Sequence, residues 1–195
     1  MDALLHGVRR LTRWGLWFGG ALVLAAAILI GIDVCLRKFF ARSIGGADEL
    51  AGYALAIGTA WSLGAALIDR AHIRIDSLYV LLPVRLRLAL DFAGLCLFVG
   101  FFGLIAWHGW TVVQQSWSAG SRSQSALQTP TVIPQGIWFA GLAVFVAVGI
   151  VLFAYALRQA ARGKVGAVAA AIGTRSAEEE VEAEVRSLKE RQSQR

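Results

Sequence analysis

Four stretches of the chain contain apolar and small residues but no Asp, Glu, Lys or Arg. They are residues 14–32, 50–68, 92–113 and 136–157. Each reaches the roughly 20 residues that a helix needs to cross about 30 Å of hydrocarbon. Helices are expected there, because lipid offers backbone groups no hydrogen-bond partner and the sequence lacks the alternating pattern of a membrane barrel. The pattern predicts an all-α integral membrane protein with four transmembrane helices.

The segments between these stretches predict where the helices begin and end. Pro83 disfavours helical geometry for Leu82 and suits the first turn of a helix, so the third helix should start near Val84. The four spans are then expected at about 14–32, 50–68, 84–113 and 136–157. We expect residues 1–164 to form the transmembrane domain and residues 165–195 to form a tail. After Ser176 this tail is expected to form a short helix, and the alternative is a frayed, solvated segment.

Three connecting segments have distinct characters. Residues 33–49 mix aromatic and basic side chains, and we expect them to lie along the membrane interface until Gly45 and Gly46 turn the chain. Residues 71–83, with the sequence AHIRIDSLYVLLP, are half apolar and are expected to form an interfacial amphipathic segment in contact with lipid headgroups or with a partner. A solvated loop is the alternative for this segment. Pro130 and Pro134 are expected to keep the connection before the fourth helix extended.

The composition supports lipid as the solvent of this chain. Hydrophobic residues make up 57% and charged residues 16%, with a mean hydropathy of +0.61, which excludes an ordinary water-soluble core. Arg9, Arg10 and Arg13 before the first stretch also resemble the start of a cleaved signal peptide. The stretch is longer than a signal core and ends without a small-residue cleavage site, so we favour an uncleaved first helix.

The basic residues predict the orientation in the membrane. Because four spans place both termini on one side, the two sides can be compared. One side receives ten basic residues: Arg9, Arg10, Arg13, Arg70, Arg74, Arg85, Arg87, Arg158, Arg162 and Lys164. The other receives four: Arg37, Lys38, Arg42 and Arg122. Both termini, the 69–91 connection and the tail are therefore expected in the cytoplasm. The net charge of +6 indicates topology and not a nucleic-acid partner.

The sequence offers little chemistry for a cofactor, a metal or catalysis. Cys35 and Cys96 are predicted on opposite sides of the membrane, which excludes a disulfide. His72 and His108 are separated in the same way and cannot ligate one haem iron. No Walker loop, G-x-S-x-G or H-E-x-x-H occurs in the sequence. We therefore expect no cofactor, no metal and no enzymatic activity.

A carrier that moves its own substrate usually has ionisable groups or broken helices near the bilayer midplane. His108 is the one readily ionisable side chain in the four stretches, and all three prolines lie outside them. The alternative of a self-contained, small homo-oligomeric transporter or channel is therefore disfavoured but stays open. The pattern favours a membrane subunit that holds another protein.

Packing residues are present in the second stretch. Gly52, Ala56, Ala60 and Gly64 recur every four residues, a spacing that lets another helix approach closely. Asp48 and Glu49 lie at the start of the same helix. There their negative charges interact favourably with the positive end of the helix dipole, or they contact a partner.

Three motifs, in this order, resemble the small permease subunit of tripartite ATP-independent periplasmic (TRAP) transporters, the DctQ-like family. They are ADELAGYALAIGTAWSLGAAL, AHIRIDSLYVLLP and TPTVIPQGIW, and the resemblance covers residues 37–138. It implies a subunit of the bacterial inner membrane that scaffolds a large multi-span permease. In such systems a periplasmic substrate-binding protein delivers an organic acid, such as a dicarboxylate, for sodium-coupled uptake.

The motifs and the packing pattern together give a set of expected partner contacts. The set comprises Asp48, Glu49, Gly52, Ala56, Ala60, Gly64, His72, Arg74, Asp76, Pro83, Pro130 and Pro134.

Overall fold

A computed structural model describes residues 2–70 and 82–173 of the chain, together with the isolated positions 185 and 192. Within these residues the regular elements are five helices: α1 (Asp2–Phe40), α2 (Ala47–Ile68), α3 (Val84–Ser118), α4 (Val132–Ala161) and α5 (Val165–Ile172). The first four are long and apolar enough to cross a membrane. The predicted all-α membrane fold with four spanning helices is confirmed.

The start of α3 agrees with the sequence prediction. The helix begins at Val84, directly after Pro83. The carbonyl oxygen of Pro83 accepts hydrogen bonds from the backbone N–H groups of Leu86 (2.9 Å) and Arg87 (3.1 Å). Proline therefore opens the helix without the loss of an internal hydrogen bond, because its missing N–H would have no partner there.

Helix α1 continues eight residues beyond the predicted span. The prediction that residues 33–40 belong to the connection between the first two helices was wrong, since they complete α1. Their position along the membrane interface stays a prediction. No glycine or proline interrupts this stretch, and Asp33 and Arg37 form an ion pair one turn apart that supports the helix. The connection to α2 is therefore the short turn of residues 41–46, in which Gly45 and Gly46 adopt positive φ angles of 67° and 92°.

Helix α4 begins earlier than predicted. Pro134 was expected in an extended connection, but it lies in the first turn of a helix that starts at Val132. The turn is closed by hydrogen bonds from Ile133 N–H to the Pro130 carbonyl (3.1 Å) and from Gln135 N–H to the Thr131 carbonyl (3.2 Å). Proline is tolerated there because first-turn N–H groups have no partner within the helix.

The chain divides into two compact units, Met1–Asp69 with Leu97–Val151 and Arg70–Cys96 with Leu152–Arg195. In the first unit, Leu142, Phe145 and Val148 of α4 are almost fully buried. The rings of Phe98 and Phe102 meet Phe145 edge to face, with centroid distances of 5.5 and 4.9 Å. Such offset aromatic pairs stabilise a core beyond the burial of their area.

The second unit includes α5, which the sequence did not predict as a helix. Val168 and Ile172 of α5 are buried, and the Arg70 guanidinium donates a hydrogen bond to the Ala169 carbonyl (3.4 Å). Phe92 and Phe153 pack edge to face at 5.8 Å. Apart from the isolated positions 185 and 192, the segment after Ser176 in which a helix was predicted lies outside the described residues.

Candidate functional site

Helices α1 and α2 approach each other closely at glycines. A Cβ atom added to Gly19 would lie 2.5 Å from the Gly58 carbonyl oxygen and 2.7 Å from Ser62 Oγ. A Cβ added to Gly15 would lie 2.7 Å from the Trp61 carbonyl oxygen. These distances are shorter than van der Waals contact, so the two backbones approach as closely as the absence of side chains allows.

Trp61 connects α2 to the helices on either side of it. Its indole N–H donates a hydrogen bond to the Ile137 carbonyl of α4 (3.0 Å), and its ring meets Phe18 of α1 edge to face at 5.6 Å. Gly141 provides the space for this ring, because an added Cβ would lie 2.6 Å from Trp61 Cδ1.

A buried carboxylate organises the turn between α1 and α2. Asp33 exposes 1% of its surface. Its Oδ1 atom accepts hydrogen bonds from Ser43 Oγ (2.9 Å) and from the Ile44 N–H (2.7 Å), and its Oδ2 atom pairs with Arg37. Arg37 also lies 3.5 Å from the carboxylate of Asp48 at the start of α2. Asp33 of α1 thus binds the turn directly, and its partner Arg37 contacts the start of α2.

The connection between α3 and α4, residues 119–131, folds back on itself. Ser123 N–H donates to the Thr129 carbonyl (2.9 Å), and Thr131 N–H donates to the Ser121 carbonyl (3.0 Å). Ser125 Oγ donates a hydrogen bond to the Glu49 carboxylate of α2. A Cβ added to Gly46 would lie 2.5 Å from Leu127 Cδ1, so the two connections are in direct contact. We call these two connections, 41–46 and 119–131, the double-loop end.

An apolar groove opens between α2 and α3 within the first unit, with a volume of about 430 Å³. Ala60 and Leu142 form its floor, since they expose 3% and 2% of their surface. The other lining residues are Leu55, Ala56, Thr59 and Leu63 of α2, Phe102 and Ile105 of α3, and Trp138 of α4. No charged side chain lines the groove. This lining suits an apolar occupant, because an organic anion would lose its hydration there without gaining a charged partner.

The structure separates the predicted contact residues into groups. Asp48, Gly52 and Ala56 are exposed, Glu49 is half-buried, and Ala60 and Gly64 are buried. Among the prolines, Pro83 is exposed, Pro130 half-buried and Pro134 buried. The predicted residues that line the groove are Ala56 and Ala60. His72, Arg74 and Asp76 lie outside the described residues.

Several residues of this site were not predicted. Gly58, which contacts Gly19, lies on another face of α2 than the predicted stripe of small residues. Asp33 was assigned to a connection, although its spacing from Arg37 is a helical signal. Ser125 lies in a polar connection in which neighbouring serines look alike in sequence. Trp138 of α4 also lines the groove and was not among the predicted contact residues.

These features define the class of protein. Large apolar side chains on α1 and α3 remain exposed, among them Trp17 (75%), Leu97 (73%) and Trp107 (75%). Water-soluble monomers rarely expose such continuous apolar surface. A lipid-facing helix does expose it, because the surrounding solvent is hydrocarbon. The chain is an α-helical, multi-pass membrane protein.

Comparison with protein families identifies the group within this class. Residues 26–159, more than half of the chain, match the family described as tripartite ATP-independent periplasmic transporters, DctQ component. The chain belongs to this family and is a transporter component. No curated protein and no solved structure gave a significant match.

Proposed function

We propose that this chain is the small membrane subunit that scaffolds the large permease of a TRAP transporter in a bacterial inner membrane. The permease would carry out sodium-coupled uptake of an organic acid such as a dicarboxylate, which a periplasmic substrate-binding protein delivers. The family match over residues 26–159 is the observation that carries the proposal. In this proposal both termini are cytoplasmic, and the double-loop end faces the periplasm.

The interior of the described helices supports an accessory role. A substrate carrier needs polar or charged groups where the substrate crosses the bilayer. The groove between α2 and α3 is lined by apolar residues apart from the Thr59 hydroxyl and the Trp138 indole N–H. Two carboxylates of the described helices are buried, Asp33 of α1 and Asp91 of α3. Asp33 is engaged by Arg37, Ser43 and Ile44, and Asp91 also has an interaction partner. Substrate recognition is therefore assigned to the other subunits.

Affinity isolation from native membranes tests the proposal. The tagged chain is extracted in mild detergent, and the proteins that accompany it are identified by mass spectrometry. We expect a large multi-span permease in an amount comparable to the tagged chain. Reconstituted alone in vesicles, the chain should give no uptake of a dicarboxylate under an imposed sodium gradient. A stable homo-oligomer without a permease, with uptake of its own, would overturn the proposal in favour of a self-contained transporter.

A further inference from the structure

We propose that the groove between α2 and α3 receives one transmembrane helix of the large permease, and that a basic side chain of that helix pairs with Asp48. The inference rests on the proposed function, because it takes the permease as the partner. Beyond the proposed function, the inference specifies which surface of this chain contacts the permease and which kind of helix binds there.

The shape of the groove suits a helix. Two walls, formed by Leu55, Ala56 and Thr59 of α2 and by Phe102 and Ile105 of α3, stand on either side of a buried floor. Helices pack by placing a ridge of side chains into such a depression. Ala56 and Thr59 are exposed and small, so the backbone of an incoming helix can approach α2 closely. In lipid, this close van der Waals packing is a main source of helix association.

The exposed carboxylate of Asp48 indicates that the bound helix carries a positive charge. Asp48 and Gly52 precede Leu55, Ala56 and Thr59 at helical spacing and lie on the same face of α2, above the groove. The Asp48 side chain is 81% exposed. Its cationic neighbour, Arg37, lies at 3.5 Å and is also paired with the buried Asp33. The carboxylate can therefore accept a second cation, and a Lys or Arg near the end of the bound helix would complement it.

The same face makes a lipid chain the weaker occupant. An acyl chain would fill the groove, but it gains little from the small side chains of Ala56, Thr59 and Ala60, since its packing is similar at any apolar surface of the bundle. A second copy of this chain is the other possible occupant. Both are separate outcomes of the experiment below.

The test begins with isolation of the tagged full-length chain and its companions. The variant Ala56→Leu/Thr59→Leu fills the groove with side chains that point away from the chain's own core. We expect the recovery of the large permease to fall at least tenfold. Ala25→Leu is the matched control, because Ala25 is an exposed alanine of α1 that does not line the groove. Its recovery of the permease should equal that of the unmodified chain.

The charge is tested separately. Asp48→Asn should lower the recovery of the permease several-fold, and the loss relative to the unmodified chain should shrink at high salt. Asp69→Asn makes the same change at an exposed residue beyond the other end of α2 and should have no effect. Equal recovery with Asp48→Asn and Asp69→Asn would overturn the role of Asp48.

A photoreactive amino acid at position 59 identifies the occupant directly. We expect an adduct with the permease. Adducts confined to lipid, or to a second copy of this chain, would overturn the inference even if the permease co-purifies, and the proposed function would then stand. If the unmodified chain recovers no permease, the proposed function itself fails, so the two failures are distinguishable.

Discussion

At the scale of single residues, Asp33 shows how a charge is accommodated near the end of an apolar helix. The side chain is buried, and its two oxygen atoms are used by Ser43, Ile44 and Arg37. A buried carboxylate is tolerated only when it is paired and hydrogen-bonded. Its partners come from its own helix and from the turn that follows. Asp33 therefore fixes the position of this turn, which leads into α2, relative to the end of α1.

Replacement of Asp33 should destabilise the isolated subunit in a graded way. Asp33→Ala removes the ion pair and both hydrogen bonds of the turn, and we expect it to lower the thermal midpoint in detergent by several degrees. Asp33→Asn keeps an acceptor for Ser43 and Ile44 but loses the charge, so its midpoint should be intermediate. Asp48→Asn, which alters a highly exposed carboxylate, should change the midpoint least. Similar midpoints for all three variants would contradict the role of Asp33.

At the scale of elements, the pairing of α1 with α2 depends on close approaches of the two backbones, the tightest of which is at Gly19. Gly19 and Gly58 face each other, and a Cβ on Gly58 would lie 2.9 Å from the Gly19 carbonyl oxygen. A backbone carbonyl cannot move aside as a flexible side chain can, so any side chain at these positions must separate the helices. The next residue, Gly20, has no atom within 4 Å of an added Cβ.

The two neighbouring glycines give a matched pair of variants. Gly19→Ala should destabilise the α1–α2 pair by about 1–3 kcal/mol, a typical cost of overpacking. Gly20→Ala adds the same methyl group to open space and should be neutral or slightly stabilising, since alanine favours helix over glycine. Thermal unfolding of both purified variants, measured side by side, checks the prediction. Equal midpoints would show that the helices do not approach at Gly19.

The ends of the elements show where sequence information was sufficient and where it was not. Pro83 predicted the start of α3, because the steric effect of proline acts on its immediate neighbours. The ends of α1 and the start of α4 were misplaced. Residues 33–40 are polar enough for a loop and equally compatible with a helix. In the structure Asp33 accepts hydrogen bonds from residues ten and eleven positions later, which a local sequence pattern does not show. Pro134 permits both an extended segment and a first helical turn.

At the scale of the whole molecule, the distribution of basic residues predicts the orientation in the membrane. Both native cysteines are free and exposed, and they lie in different helices. In cells stripped of their outer membrane, a membrane-impermeant maleimide should label Cys35 and should not reach Cys96. In a chain that lacks both cysteines, Ala161→Cys should be labelled only after the membrane is permeabilised. Denatured samples, in which every thiol reacts, provide the control. The reverse pattern would place the double-loop end in the cytoplasm.

The sequence by itself determined the number of membrane helices, their approximate positions and the family to which the chain belongs. These properties follow from the order of apolar and charged residues along one dimension, because the bilayer acts on each segment separately. The sequence also revealed that α2 is rich in small residues, but not which of them would be contacts.

The tertiary structure decided that Gly58 meets Gly19, that Trp61 lies against Gly141, and that Ala56 and Thr59 remain open in a groove. Each of these outcomes depends on the rotation of one helix about its axis and on its height relative to another. Both quantities are set by side-chain packing between residues far apart in sequence, such as Trp61 and Ile137. A periodic pattern within one helix gives several nearly equivalent faces, and the packing of the neighbouring helices selects among them.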